Sequence, residues 1–90
     1  MKLSKDFTLE EFTYSQTALR HNIDMTPSDN IKENLTKLVT EVLQPLRDGL
    51  GVPIIVTSGY RPLPLNRTIG SKDTSAHVRG QAADIKAVRS

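Results

Sequence analysis

The sequence predicts a small α+β fold in which N-terminal helices and one long helix pack on a small antiparallel sheet. Two observations lead to this prediction. Apolar residues recur at three- and four-residue steps through the middle of the chain, as they do on one buried face of a helix. Two later segments are short and either rich in β-branched residues or alternating in polarity, which is typical of strands. The 90 residues of the chain allow one such domain with one core.

The N-terminal part of the chain predicts two short helices. Thr8 and Glu11 fit a capping box, and Phe7 and Phe12 occupy the two positions of a hydrophobic staple. The first helix is therefore expected to begin directly after Thr8, and both phenylalanines are expected to be structural. A weaker helical signal covers residues 15–20.

The central segment predicts the main helix. It starts at Ser28, a residue type suited to the N-cap. Its predicted buried face consists of Ile31, Leu35, Leu38, Val39, Val42, Leu46 and Leu50. Pro45 is expected to bend the helix, because it lacks a backbone donor and crowds the carbonyl of Glu41. Gly49 and Gly51 are expected to end it.

Two strands and an intervening loop are predicted for the C-terminal part. Residues 52–57 form an apolar, β-branched run that indicates a buried strand. Residues 60–74 contain two prolines and a glycine, so they are interpreted as a long surface loop of the kind that carries function. Residues 82–88 alternate as a second strand does, with Asp84 on the face opposite Ile85.

Composition excludes several classes of protein. The formal net charge of +2 arises from 12 basic and 10 acidic residues without a basic run, which argues against a nucleic-acid-binding surface. No cysteine is present, so neither a disulfide framework nor a thiolate metal site is available. The N-terminus lacks the apolar core of a signal peptide, and no apolar run approaches the length of a membrane span. We therefore expect a protein made in the cytoplasm that does not associate with membranes.

An imidazole and a carboxylate seven residues apart form half of a potential zinc site. His77 and Asp84 are separated by Gly80 and small residues. A catalytic zinc uses three protein ligands and one open position, so one more ligand is required. The other histidine, His21, lies in an unrelated N-terminal segment. The alternative is that His77 is an ordinary surface or hydrogen-bonded histidine and Asp84 an exposed carboxylate on an edge strand.

The motifs around these residues resemble those of a known family. Residues 57–61 read Thr-Ser-Gly-Tyr-Arg, and residues 75–84 contain Ser-x-His-x-x-Gly-x-Ala-x-Asp. With Asn66 between them, and with similar segments at 7–12, 15–18 (Ser-x-Thr-Ala) and 43–47, the pattern resembles the M15 peptidases. These are zinc D-Ala-D-Ala carboxypeptidases and phage endolysins, and the small phage-type members are the most similar. The resemblance covers nearly all of the chain, so residues 1–90 are expected to be one M15-like domain.

The resemblance implies a cofactor, a ligand and a role for each site residue. His77 and Asp84 would bind zinc, and Arg61 would be the catalytic arginine that contacts the substrate or the tetrahedral intermediate. Ser75 and Tyr60 would contact the substrate, a peptide of peptidoglycan, although Tyr60 is also explained as a half-buried structural aromatic. Zinc would polarise the scissile carbonyl and lower the pKa of water from about 16 toward ~7. The implied fold is an incomplete M15, or Hedgehog-like, peptidase fold.

The sequence departs from the family pattern after Asp84. Family members continue with a second histidine ligand and an acidic general base, and nothing in residues 85–90 matches them. We therefore expect the domain to be C-terminally incomplete or to be a short relative without turnover. Three classes stay open: a zinc-dependent cell-wall peptidase domain, a non-catalytic relative that binds peptide or cell wall or serves as a phage structural part, and an inert folded fragment. An endolysin-like protein would act on the cell wall after its release from the cytoplasm.

Overall fold

The computed structural model describes residues 1–88 and confirms the predicted α+β architecture. Its helices are α1 (Leu9–Thr13), α2 (Gln16–Arg20), α3 (Asp29–Leu38), α4 (Gln44–Leu50) and α5 (Leu63–Thr68). A π-helical turn, Val39–Leu43, joins α3 to α4, and a 3-10 turn covers Ala76–Arg79. The strands β1 (Ile54–Ser58) and β2 (Asp84–Ala87) form a two-stranded antiparallel sheet. No helix within residues 1–88 is long and apolar enough to cross a membrane.

The predicted start of α1 is confirmed. The Glu11 carboxylate accepts hydrogen bonds from the backbone N–H of Thr8 at 2.9 Å and from its hydroxyl at 3.2 Å. The rings of Phe7 and Phe12 pack with their centroids 6.2 Å apart, and both side chains are buried. The second short helix is also present, with Ser15 as its N-cap. These contacts hold the N-terminal segment on the core.

The long helix runs without a break from Asp29 to Leu50. The Ser28 hydroxyl caps it by accepting from the Ile31 N–H at 3.3 Å. Gly51 ends it in the left-handed conformation, with φ of 68°. The prediction that Gly49 also ends the helix is wrong, because Gly49 lies inside α4. One left-handed residue after the last turn is sufficient to stop a helix.

The predicted buried face of this helix is wrong over its second half. Val42, Leu46 and Leu50 are exposed, whereas Leu43, which was not predicted, is only 4% exposed. The cause is the π turn, in which the N–H of Gln44 bonds to the carbonyl of Val39, five residues earlier. The wider turn shifts the register of every later residue around the helix axis. The π turn ends at Leu43, two residues before Pro45, and the bend expected at that proline stays a prediction.

The sheet is shorter than the sequence predicts. Strand β1 starts at Ile54 and extends to Ser58, and β2 starts at Asp84, so residues 52–53 and 82–83 lie outside the ladder. An irregularity between Val56 and Ser58 places Ser58 opposite Asp84. Ile85 pairs with Val56. Because side chains alternate along a strand, Asp84 lies on the opposite face from Ile85, as expected.

The interpretation of residues 60–74 as a loop is wrong in part. Helix α5 lies within it, and its Leu65 and Asn66 are buried. The two prolines are the reason for the error: Pro62 and Pro64 occupy the N-cap and the first turn of α5, where proline is favourable because those N–H groups have no helical partner. The side-chain amide of Asn66, within α5, donates to the Lys72 carbonyl at 2.7 Å. This bond ties the chain that follows α5 back to the helix.

The hydrophobic core is formed by three parts of the chain. Its buried residues come from the N-terminal segment, the long helix and β1, and comprise Leu3, Phe7, Phe12, Leu35, Val39, Leu43 and Ile54. Tyr60 and Ala83, which lie within the two motifs that resemble the M15 pattern, pack against this cluster. The core therefore packs against the residues that follow β1 and those that precede β2.

Candidate metal centre and adjoining cleft

The 3-10 turn holds His77 in a fixed orientation. The Ser75 hydroxyl caps the turn by accepting from the His77 N–H at 3.3 Å, and Gly80 closes it with φ of 70°. The imidazole is largely buried, with 11% of the side chain exposed. Its Nδ1 lies 2.8 Å from the carbonyl oxygen of Gly59. Because a carbonyl can only accept, Nδ1 is the nitrogen that donates, and in the neutral imidazole Nε2 is then the one with the free lone pair.

The structure brings Asp84 to the free nitrogen of His77. The carboxylate Oδ2 lies 3.7 Å from Nε2, and the Asp84 side chain is 63% exposed. Two tetrahedral bonds of about 2.0–2.2 Å to one zinc ion place their donor atoms roughly 3.4 Å apart. The observed separation is close to this value. A histidine whose Nδ1 is held by a backbone carbonyl is also the usual arrangement of a zinc ligand.

These two donors are one fewer than a catalytic zinc requires. Over the described range 1–88, no cluster of three or more His, Cys, Asp or Glu side chains is placed to hold a metal. His21 caps the C-terminal end of α2 and is exposed. The residues present therefore fit zinc in donor type, separation and orientation, as two ligands of a set of three.

Arg61 and Ser75 lie beside His77. An Arg61 Nη2 donates to the Ser75 hydroxyl at 3.4 Å, and the Arg61 backbone N–H donates to the His77 carbonyl at 3.0 Å. The Arg61 Nε is buried and has no acceptor in the part of the chain that the structure describes. Buried donors rarely lack a partner, so the unpaired Nε suggests that the Arg61 guanidinium gains a hydrogen bond when a ligand binds.

A cleft of about 330 Å³ adjoins the His77 and Asp84 pair. Residues 57–61 form one wall and residues 14–17 the other, with Arg20, Leu65 and Ile69 completing the lining. His77 and Asp84 do not line the cleft, but residues 57–61 join the two sites, because Gly59 accepts from His77 and Ser58 pairs with Asp84. Sequence reasoning did not find the wall at 14–17. The only sequence signal for this wall was the Ser-x-Thr-Ala segment at residues 15–18, which resembles the corresponding segment of the M15 peptidases.

Tyr60 is held at the floor of the cleft. Its backbone N–H donates to the Phe12 carbonyl at 2.8 Å, and its side chain packs on the core. Burial raises the pKa of the Tyr60 phenol above 10, and the negative charge of Asp24 adds to this effect. The phenol is therefore neutral at physiological pH.

Gly59 is required by its contacts with α1. A Cβ at this position would lie 2.6 Å from the Phe12 carbonyl oxygen and 2.7 Å from the Phe12 Cα. Real Cβ atoms do not approach backbone atoms so closely. Sequence reasoning did not find this close approach, although a glycine in a strand often marks a site where another backbone comes close, and Gly59 directly follows β1.

Comparison with known proteins identifies a family for the whole site. The family model described as Peptidase M15 matches residues 5–90. No curated protein and no solved structure shows significant similarity to the chain. The family match covers α1, α2, the long helix, both walls of the cleft and the two candidate ligands.

Proposed function

The chain belongs to the peptidase M15 family, and from this premise we propose that it is a zinc-dependent peptidase domain acting on peptides of the bacterial cell wall. The substrate class is that of D-Ala-D-Ala carboxypeptidases or peptidoglycan endopeptidases. The observation that carries the proposal is the pairing of His77 and Asp84, with Nε2 and Oδ2 3.7 Å apart and Nδ1 held by Gly59.

His77 and Asp84 would hold the zinc ion in this proposal. When bound, zinc supplies Lewis acidity toward a peptide carbonyl and toward water. The Gly59 carbonyl keeps the proton of His77 on Nδ1, so that Nε2 is available as a donor without a change of tautomer. Asp84 offers a largely exposed carboxylate, which keeps its side of the pair open to substrate.

Arg61 would hold negative charge on the substrate. Its guanidinium is always protonated and is anchored through Ser75 to the turn that carries His77. It could stabilise a developing oxyanion or bind a terminal carboxylate by two hydrogen bonds. Ser75 contributes by positioning both Arg61 and the His77 backbone.

The family resemblance also implies a third protein ligand and an acidic general base. The family resemblance expects both after Asp84, and none of the acidic residues in the described range joins the His77 and Asp84 pair. We further propose that the domain is made in the cytoplasm and meets peptidoglycan after release, as an endolysin does.

A second candidate function is peptide or cell-wall binding without turnover, as in a phage structural relative. It is favoured by the count of two donors within residues 1–88, together with a formed cleft of about 330 Å³. Such a protein would use Arg61 and the cleft in the same way but would not need the metal.

Zinc titration of three variants separates the two functions. The peptidase proposal predicts saturable binding of one zinc ion to the wild-type chain, weakened strongly in both His77→Gln and Asp84→Asn. The matched control is His21→Gln, which removes the other histidine and should leave zinc binding unchanged. Wild-type protein that folds but binds no zinc would support the non-catalytic candidate instead.

A further inference from the structure

One edge of the two-stranded sheet carries no further strand. Within residues 1–88, β2 pairs with β1 along one edge, and its opposite edge has no partner strand. Asp84, Ile85 and Lys86 of this strand are exposed. The backbone N–H and C=O groups along such an edge can pair with a strand of another chain, as they do when a strand is added to a sheet.

The hydrogen bonds of β2 determine which of its backbone groups face the open edge. The N–H of Val88 donates to the Pro53 carbonyl at 2.9 Å, so the backbone of Val88 faces β1. Successive residues of an antiparallel strand direct their backbone groups to opposite edges. Lys86 therefore also faces β1, whereas the N–H and C=O groups of Ile85 and Ala87 face outward.

Charge distinguishes the antiparallel registers in which Ile85 can pair with a second copy of β2. Outward groups must meet outward groups, so Ile85 lies opposite either Ile85 or Ala87 of the second copy. The first register places Asp84 opposite Lys86 of the second copy, and by symmetry Lys86 opposite Asp84. The second register places Lys86 opposite Lys86, and like charges directly opposite each other are destabilising. The register centred on Ile85 is therefore favoured.

Both charges of this edge are available for pairing between copies. No carboxylate of residues 1–88 lies within ion-pair distance of Lys86. The Asp84 side chain is 63% exposed. A lysine on an edge strand normally opposes pairing with another chain. In the register centred on Ile85, Asp84 compensates that charge, so Lys86 selects the register instead of preventing the contact.

We propose that the open edge of β2 binds a second copy of this chain, so that two copies form one four-stranded antiparallel sheet. A two-fold axis at Ile85 relates the copies, as in an isologous dimer. Ile85 pairs with Val56 on the core side of the sheet but is 36% exposed, and Ile85 of the second copy would cover it. The proposal concerns assembly, goes beyond the proposed function and does not depend on it.

Sedimentation equilibrium of the metal-free chain, in the presence of EDTA, tests the proposal. The 10.0-kDa chain should approach twice its monomer mass as its concentration rises. A ladder of four residues buries less surface than an interface of standard size, so the dissociation constant should be on the order of 0.1 mM. Lys86→Glu places like charges opposite each other at two symmetric positions and should weaken the dimer about tenfold or more.

Two variants make the test specific to the charge pairs. Asp84→Lys combined with Lys86→Glu exchanges the two charges and should restore the dissociation constant to within about threefold of wild type. Lys37→Glu makes the same change of charge at an exposed position of α3 and should have no effect. Equal weakening in Lys86→Glu and Lys37→Glu would overturn the proposal. A wild-type chain that stays monomeric at about 1 mM would also overturn it and would leave the edge to another occupant.

Disulfide cross-linking tests the register. The chain has no cysteine, so Ile85→Cys supplies a single thiol. On the two-fold axis the two Cα atoms would lie about 5.5 Å apart, which a disulfide can span. Ile85→Cys should therefore form a covalent dimer in a glutathione redox buffer, whereas Ile55→Cys, an exposed position of β1, should not. Equal cross-linking of the two variants would contradict the register centred on Ile85.

Discussion

Gly59→Ala is the substitution with the most consequences for both the fold and the candidate metal centre. The added Cβ would lie 2.6 Å from the Phe12 carbonyl oxygen and 2.9 Å from the Phe12 Cβ. Phe12 is completely buried, and its carbonyl accepts the Tyr60 N–H at 2.8 Å. Neither side of the contact is a flexible side-chain end, so the backbone must move apart.

The expected loss of stability has two contributions, the steric overlap and the weakened Tyr60–Phe12 hydrogen bond. Overpacking a close contact costs about 1–3 kcal/mol, and weakening one buried hydrogen bond adds about 0.5–1.5 kcal/mol. We expect Gly59→Ala to lower the free energy of unfolding by about 2–4 kcal/mol. A domain of this size has a total of only about 5–13 kcal/mol. The melting temperature should fall by roughly 8–30 °C.

The same movement should disturb the metal pair. The Gly59 carbonyl orients His77 through Nδ1, and loss of such a support typically weakens metal binding about 10- to 100-fold. Urea unfolding and zinc titration measure the two effects on one sample. Gly49→Ala is the control: nothing lies within 4 Å of its Cβ, and alanine in a helix should raise stability slightly. The reasoning is refuted if Gly59→Ala unfolds within about 0.5 kcal/mol of the wild type.

Three further predictions test the fold and its charges. Leu43→Ala should cost about 2–5 kcal/mol in urea unfolding, whereas Leu46→Ala should cost under about 1 kcal/mol, because the side chains are buried and exposed respectively; equal costs would contradict the π-turn register. Gly80→Ala should destabilise by about 1–3 kcal/mol, since φ is 70° and its Cβ would lie 3.0 Å from Ile31; thermal melting measures this, and an unchanged midpoint would argue against the turn. Arg67 lowers the pKa of Asp73 below 3.8, so its contribution to stability is present above pH 3.8 and is lost as pH falls through the lowered value. Arg67→Gln should therefore be less stable than wild type at neutral pH only, and a difference that persists at pH 2 in urea unfolding would oppose this.

Local signals in the sequence predicted the parts of the fold that local contacts determine. The start of α1 follows from a hydrogen bond and a ring contact within six residues of chain, between Phe7 and Phe12. The His77 and Asp84 pair was predicted because both residues lie in one short segment with a turn at Gly80. A single left-handed glycine and the start of a strand are sufficient to bring them together.

Other features depend on contacts that periodicity does not encode. The exposure of Leu46 follows from the π turn, whereas the sequence pattern assumes a uniform helical repeat. Pro62 and Pro64 favour loops in general, but they start α5 because the helix can bury Leu65. The cleft joins residues 14–17 to residues 57–61, forty or more positions away in the sequence, so only the folded chain defines it.

The most direct test of the central claim is nitrogen NMR of the two imidazoles during zinc titration. The account predicts that the Nε2 resonance of His77 changes on zinc addition, that its Nδ1 stays protonated, and that His21 does not respond. It also predicts that Asp84→Asn suppresses the change at His77. Zinc that leaves Nε2 of His77 unaltered, or that perturbs both histidines alike, would contradict the claim that His77 and Asp84 share one metal ion.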